Sequence, residues 1–114
     1  MSMEVDASMT PTVDRDGYPT DETLDALRQW DLADANAALD FLQVAWTYPN
    51  LASHDLSVEE FAVVHADAST RHLRLSTGGW SGNEDLIYAF RESLAWRMTW
   101  RLSAIGGLHI FRYR

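Results

Sequence analysis

The stretch "WRMTWRLSAIGGLHIFRYR", residues 96–114, alternates apolar and polar side chains on both sides of a Gly-Gly pair. Alternation with a period of two is typical of a half-buried β-strand. Two glycines between two such runs indicate a hairpin turn. The sequence therefore predicts a pair of strands near 95–104 and 108–113.

A two-residue turn also predicts which side chains of this hairpin face one another. With the turn at 106–107, Leu102 lies opposite Phe111 on the apolar face. Arg101 then lies opposite Arg112 on the other face. The hairpin is thus predicted to have one apolar face and one basic face.

A second hairpin is predicted from "FAVVHADASTRHLRLS", residues 61–76. Its period is again two, and Asp67 is a typical first residue of a type I turn. The strands would cover 61–66 and 71–76. The C-terminal hairpin leaves another interpretation open, in which residues 94–105 form a helix, but Trp and Thr favour strands.

Three segments have the 3.6-residue period of helices. They cover about 20–30, then from Asp34 to just before Tyr48, and about 82–93. The order α-α-β-β-α-β-β predicts an α+β domain, with helices on one face of a four-stranded antiparallel sheet. We place this single domain at 20–114, after a flexible arm at 1–19.

Composition limits the function classes. The chain has 114 residues, no cysteine and a net charge of −8. Without cysteine there is no disulfide, thiolate zinc site or cysteine nucleophile. No apolar run approaches the ~20 residues of a membrane helix, and no signal peptide is recognisable. We expect a cytoplasmic protein that is not bound to a membrane.

The charge is divided along the chain. Residues 1–60 carry 13 acidic side chains and two arginines, whereas residues 61–114 carry four acidic side chains and seven arginines. The acidic half provides a candidate partner-binding surface formed by Asp21, Glu22, Asp25, Asp31, Asp34 and Asp40. The second half provides a candidate basic face formed by Arg97, Arg101, Arg112 and Arg114.

A glycine-rich loop precedes the third predicted helix. We take its candidate residues to be Thr77, Gly78, Gly79, Trp80, Ser81, Asn83 and Glu84. Ser81 and Glu84 have the spacing of a capping box, in which each side chain bonds the backbone N–H of the other residue. Trp80 has two interpretations: it packs on the start of the helix, or it is an exposed ring at a ligand site.

The string Thr77-Gly-Gly-Trp-Ser-Gly-Asn-Glu84, followed by a helix, a Trp-rich strand and a Gly-Gly turn, resembles a group of small proteins of tailed phages and prophages. The resemblance covers about residues 60–114. It implies a phage or prophage context, and it brings no established activity and no catalytic residues.

Other chemistry has little support in the sequence. His65 and His72, with Asp67 nearby, could form a facial triad of metal ligands, but exposed histidines are more often solvated. No nucleophile elbow is present. We expect no metal, no cofactor and no catalysis.

Two functions follow from these patterns. The first is a non-catalytic interaction protein, whose acidic surface occupies a basic surface on a host or phage protein, for example a nucleic-acid-binding defence complex. The second is a binder of a ligand or of single-stranded nucleic acid, through the 77–84 loop and the basic face. The net charge of −8 disfavours nucleic acid as a partner.

Overall fold

A computed structural model of the protein describes residues 10–66 and 69–114. Its helices and strands follow in the order α1 (Asp21–Arg28), α2 (Ala35–Ala45), a 3-10 turn (Pro49–Leu51), β1 (Ala52–Ser53), α3 (Val58–Val63), β2 (His72–Ser76), α4 (Ser81–Arg91), α5 (Leu94–Thr99), β3 (Trp100–Ala104) and β4 (Leu108–Arg112). The predicted α+β class with four antiparallel strands is confirmed. When the six-residue helices α3 and α5 are set aside, the order is the predicted α-α-β-β-α-β-β.

The sheet has the strand order β1-β2-β4-β3, so β4 lies inside it. Leu73 of β2 pairs with Phe111 of β4, and every neighbouring pair of strands is antiparallel. Leu73, Leu75 and Phe111 are fully buried against the apolar stripes of α1, α2 and α4. The core therefore lies between one face of the sheet and these helices.

The predicted strand at 61–66 is wrong, because this part of the chain belongs to α3 and the turn after it. A complete capping box starts that helix: the Ser57 hydroxyl accepts from Glu60 N at 3.1 Å, and the Glu60 carboxylate accepts from Ser57 N at 2.9 Å. This capping box stabilises the start of a helix, and its effect outweighs the strand-like alternation of side chains in residues 61–66. The edge strand is instead the two-residue β1, and the predicted turn residue Asp67 lies outside the described residues.

The face of the sheet opposite the core is approached by α3. Arg74 alternates with the buried Leu73 and Leu75, so it points to this second face. Its guanidinium lies 2.9 Å from the Glu60 carboxylate of α3. The short helix α3 thus differs from α1, α2 and α4, which lie on the core side as predicted.

The predicted strand at 95–104 is correct only in its second half. Ser93 accepts from Trp96 N at 3.0 Å and caps α5, so strand β3 begins at Trp100. The connection to β4 has three residues, and Leu102 pairs with Ile110 rather than with Phe111. The pairing of β3 with β4 is irregular between Trp100 and Leu102. The predicted pairing of Arg101 with Arg112 is therefore also wrong.

Residues 10–20 contact the first helix. Thr12 N donates to the Thr23 hydroxyl at 2.8 Å, and Val13 forms an isolated bridge with Pro19. Residues 1–9 lie outside the described part of the chain, and the flexibility of the arm stays a prediction. No helix among the described residues is long and apolar enough to cross a membrane.

Candidate functional site

The glycine-rich loop turns the chain from β2 into α4. Gly78 and Gly79 have φ angles of 62° and 74°, in the left-handed region that favours glycine. A Cβ at Gly78 would lie 2.6 Å from Leu51 Cδ1, so a larger residue there would also displace the end of the Leu51 side chain. Thr77, at the start of the loop, is buried, and its N–H donates to Gly107 O at 3.0 Å.

The predicted capping box at Ser81 is wrong. Helix α4 begins at Ser81 itself, and the residue before it, Trp80, provides no side-chain cap. The Ser81 hydroxyl lies instead 2.9 Å from the Tyr18 hydroxyl. Ser81 is therefore inside the first helical turn and not at the capping position before it.

Asn83 is the structural centre of the loop, and its side chain is fully buried. Its oxygen accepts from Thr47 N at 3.0 Å, while its nitrogen donates to Thr47 O at 3.0 Å and Thr77 O at 3.4 Å. One side chain thus bonds both backbone groups of Thr47, as a neighbouring strand would. We call this arrangement the Asn83 clamp.

Trp80 packs on the start of α4, where a Cβ at Gly82 would lie 1.9 Å from its Cζ3 atom. Its ring also meets two tyrosines from distant parts of the sequence. The ring centroid of Tyr18 lies 4.9 Å away, and that of Tyr48 lies 6.3 Å away with the planes at 86°. We name Tyr18, Tyr48 and Trp80 the aromatic corner.

The six candidate carboxylates of the acidic helical surface are all exposed. Asp25 lies 2.7 Å from the guanidinium of Arg28, which also contacts Glu92 at 3.1 Å. Asp40 accepts from the Tyr113 hydroxyl at 3.1 Å, and Asp31 accepts from a backbone N–H. Within residues 10–66 and 69–114, Asp25 is the one member of the set that forms a salt bridge.

The positive charges of two candidate arginines act on a third. Burial lowers the pKa of Arg101, and the positive charges of Arg112 and Arg114 lower it further. No salt bridge to a carboxylate involves any of the three in the described parts of the chain. The fourth, Arg97, is exposed on the separate helix α5. The structure therefore concentrates positive charge at Arg101, Arg112 and Arg114.

The basic cluster and the glycine-rich loop lie at opposite ends of the sheet. Arg112 pairs with His72, the first residue of β2, whereas Thr77 follows its last residue. A five-residue strand rises about 13 Å between its end residues. The structure therefore does not join the loop and the arginines into one continuous site.

The two histidines considered as metal ligands are not cross-strand neighbours. Both line a cavity of about 70 Å³ beside Arg112, but the ring of His72 is buried and its Nδ1 donates to Thr70 O at 3.2 Å. Burial lowers the pKa of His72, as do the nearby charges of Arg112 and Arg101. Within the described ranges no three His, Asp or Glu side chains form a metal site, and Asp67 lies outside them.

A serine–histidine contact was missed by the sequence analysis. Trp100 Nε1 donates to the Ser103 hydroxyl at 2.8 Å, and that hydroxyl lies 2.8 Å from His109 Nδ1. The hydroxyl oxygen accepts from the indole N–H, which can only donate, and its contact with Nδ1 forms with either tautomer of the His109 ring. Only the correct register, which pairs Ser103 with His109, would have revealed this contact.

His109 lines a cleft of about 230 Å³ between α4 and the β3–β4 hairpin. Burial and the charge of Arg91 lower the pKa of His109. Glu84 lines the same cleft but forms no hydrogen bond with His109 among the described residues. The arrangement therefore lacks the oriented base that activates a serine nucleophile.

The chain matches no known family model, and no curated protein or solved structure shows significant similarity to it. The resemblance of the 77–84 string to phage and prophage proteins stays a prediction. Function is therefore inferred from the geometry and charge of the chain itself.

Proposed function

We propose that this protein acts without catalysis, by binding a basic surface of another protein through its acidic helical surface. The observation that carries the proposal is the exposure of all six carboxylates with one arginine partner among them, Arg28 at Asp25. Uncompensated surface charge of one sign attracts partners of the opposite sign and accelerates their encounter.

The rival explanation is that these carboxylates neutralise the protein's own arginines. Arg101, Arg112 and Arg114 do not support it, since none forms a salt bridge with a carboxylate in the described ranges. Arg28 is the one arginine between residues 20 and 60, and it is shared by Asp25 and Glu92. The acidic helical surface is therefore available to a partner.

The chemistry of the surface indicates the class of partner. Protein surfaces that bind nucleic acid carry arginines and lysines spaced to meet phosphates. The exposed carboxylates of α1, of α2 and of the segment between them can meet such side chains in place of phosphates. We propose that the protein is a small accessory protein of phage type in the host cytoplasm, and that its partner is a host or phage protein such as a nucleic-acid-binding defence complex.

The second candidate function is binding of a ligand or single-stranded nucleic acid. Its support is the cluster of Arg101, Arg112 and Arg114, whose charges meet no carboxylate in the described part of the chain. This cluster is separated from the 77–84 loop, which argues against the hypothesis that the two form one binding site. Tight binding of a single-stranded oligonucleotide at low salt, lost on substitution of these arginines, would favour this candidate.

Affinity capture from a bacterial lysate with charge variants tests the first proposal. The triple variant Asp21→Lys, Glu22→Lys, Asp34→Lys changes carboxylates that form no side-chain hydrogen bond within the described residues. Any partner retained by the wild type at 50 mM salt should be lost with this variant and also with the wild type at 500 mM salt. A single reversal should weaken capture only modestly.

A matched control changes the net charge by the same amount at three other exposed residues, through Asp55→Lys, Glu59→Lys and Asp85→Lys. This control should retain the partner if the location of the charges matters. Equal capture by the folded acidic-surface variant and the wild type would contradict the proposal.

A further inference from the structure

The aromatic corner exposes large rings at the protein surface. The side chain of Tyr48 is 54% exposed and that of Tyr18 is 37% exposed. Tyr48 and Trp80 meet at 86° and form two walls of a corner, while Tyr18 lies against Trp80 at 33°.

The backbone of Tyr48 is held in an unfavourable conformation. Its φ is 62°, which is rare for a residue with a bulky side chain, and it precedes Pro49, which favours an extended backbone. Among the residues that the structure describes, the other non-glycine residue with positive φ is His65, which follows α3 in a common helix-ending conformation. Tyr48 has no such role, because α2 ends three residues before it.

The Asn83 clamp explains how this conformation persists. Both backbone groups of Thr47 are bonded to Asn83, so the residue immediately before Tyr48 is fixed. Glycine would adopt the same conformation without strain. A strained tyrosine with an exposed ring, supported by a buried clamp, indicates that the ring is required at this position.

The charges around the corner favour a cation. Asp14 and Asp16 belong to the turn that carries Tyr18, and the Asp14 carboxylate accepts from Tyr18 N at 3.0 Å. Arg15 is the one basic side chain between residues 10 and 27. Aromatic faces attract cations, and guanidinium is the planar cation that also stacks on them.

We propose that the aromatic corner is the receptor for an arginine side chain of the basic protein partner. This inference rests on the proposed function, because the same partner supplies the arginine. The guanidinium stacks on the exposed ring of Tyr48 beside Trp80, and the carboxylates of Asp14 and Asp16 compensate its charge. The acidic helical surface attracts the partner, and the corner selects arginine over lysine.

Two fluorescent peptides of equal charge, nona-arginine and nona-lysine, test the receptor on the full chain. The wild type should bind nona-arginine about fivefold more tightly at 50 mM salt, as expected from one stacked guanidinium. Tyr48→Gly should abolish this preference and leave binding of nona-lysine unchanged. Its melting temperature should equal or exceed that of the wild type, since the strain is relieved.

Three further variants of the chain complete the experiment. Tyr48→Asn, which also tolerates positive φ, replaces the glycine variant if that variant does not fold. Tyr88→Ala removes a 61% exposed tyrosine of α4 that is not part of the corner, and it should keep the preference. The triple variant of Asp21, Glu22 and Asp34 should weaken both peptides equally and keep their ratio.

The receptor is overturned if the wild type shows no preference for nona-arginine, or if both folded Tyr48 variants retain it. If the wild type binds both peptides equally tightly but the triple charge reversal still weakens both, the receptor alone is overturned. If the triple charge reversal leaves the binding of both peptides unchanged, the proposed role of the acidic helical surface is overturned and the receptor is not.

Discussion

The two loop residues Ser81 and Asn83 should differ sharply in their contribution to stability, with Asn83 contributing more. Asn83→Ala removes three hydrogen bonds and leaves the N–H and C=O of Thr47 without partners, whereas Thr77 O still accepts from Trp80 N at 3.1 Å. Each buried unsatisfied group costs about 1–3 kcal/mol. Thr47 is half-buried, so water replaces part of the loss, and we expect a decrease of about 3 kcal/mol in the free energy of unfolding.

Ser81→Ala should have little effect. Its hydroxyl bonds the exposed hydroxyl of Tyr18, and water can replace both partners. We expect a change within about 0.5 kcal/mol, as is usual for surface substitutions. A residue that closed a capping box would cost about 0.5–2 kcal/mol.

Urea denaturation of the wild type and both variants, followed by tryptophan fluorescence and circular dichroism, measures these differences. The slope of the free energy against urea should be unchanged, so that midpoints can be compared. An Asn83→Ala midpoint that coincides with that of the wild type, or a larger loss for Ser81→Ala, would refute the assignment of the clamp.

Three other predictions follow from local geometry. Ser57→Ala should lower the free energy of unfolding by about 1 kcal/mol in urea titrations, because the capping box of α3 loses its acceptor. Gly107→Ala should destabilise more than Gly106→Ala in the same assay: both have positive φ, but only at Gly107 would a Cβ lie 2.1 Å from Thr77 Oγ1. Burial lowers the pKa of His72 and His109 below 6.5, so the unfolded chain binds protons there that the folded chain does not. Stability should therefore fall as the pH drops from 7 towards 5, and a His72→Gln, His109→Gln variant should show a flatter profile.

The sequence predicted the elements whose signals are local and unopposed. Strand β4 was expected at 108–113 and occupies Leu108–Arg112, and α4 was expected at 82–93 and occupies Ser81–Arg91. The segment after Ser57 shows why other elements were missed. Its side chains alternate like those of a strand from Phe61 onward, but the capping box that begins four residues earlier, at Ser57, favours a helix.

The candidate site was less accessible to sequence analysis, because it is assembled from distant segments. Tyr18, Tyr48 and Trp80 are separated by 30 and 32 residues, and no local pattern connects them. They meet because residues 17–18 and the clamped segment after α2 converge on the start of α4. Asn83 was recognised as a loop residue, but its buried bonds to Thr47 depend on tertiary packing.

The edges of the sheet restrict how any partner can bind. One edge is the two-residue β1, and beyond it the His72 carbonyl already accepts from His54 Nδ1 at 2.9 Å. The other edge, β3, is interrupted by the irregularity at Arg101. Strand addition needs a straight run of free N–H and C=O groups, and short, bulged or charged edges oppose it. Recognition through main-chain pairing is thus disfavoured at both edges, and specificity must come from side chains on the helices and loops.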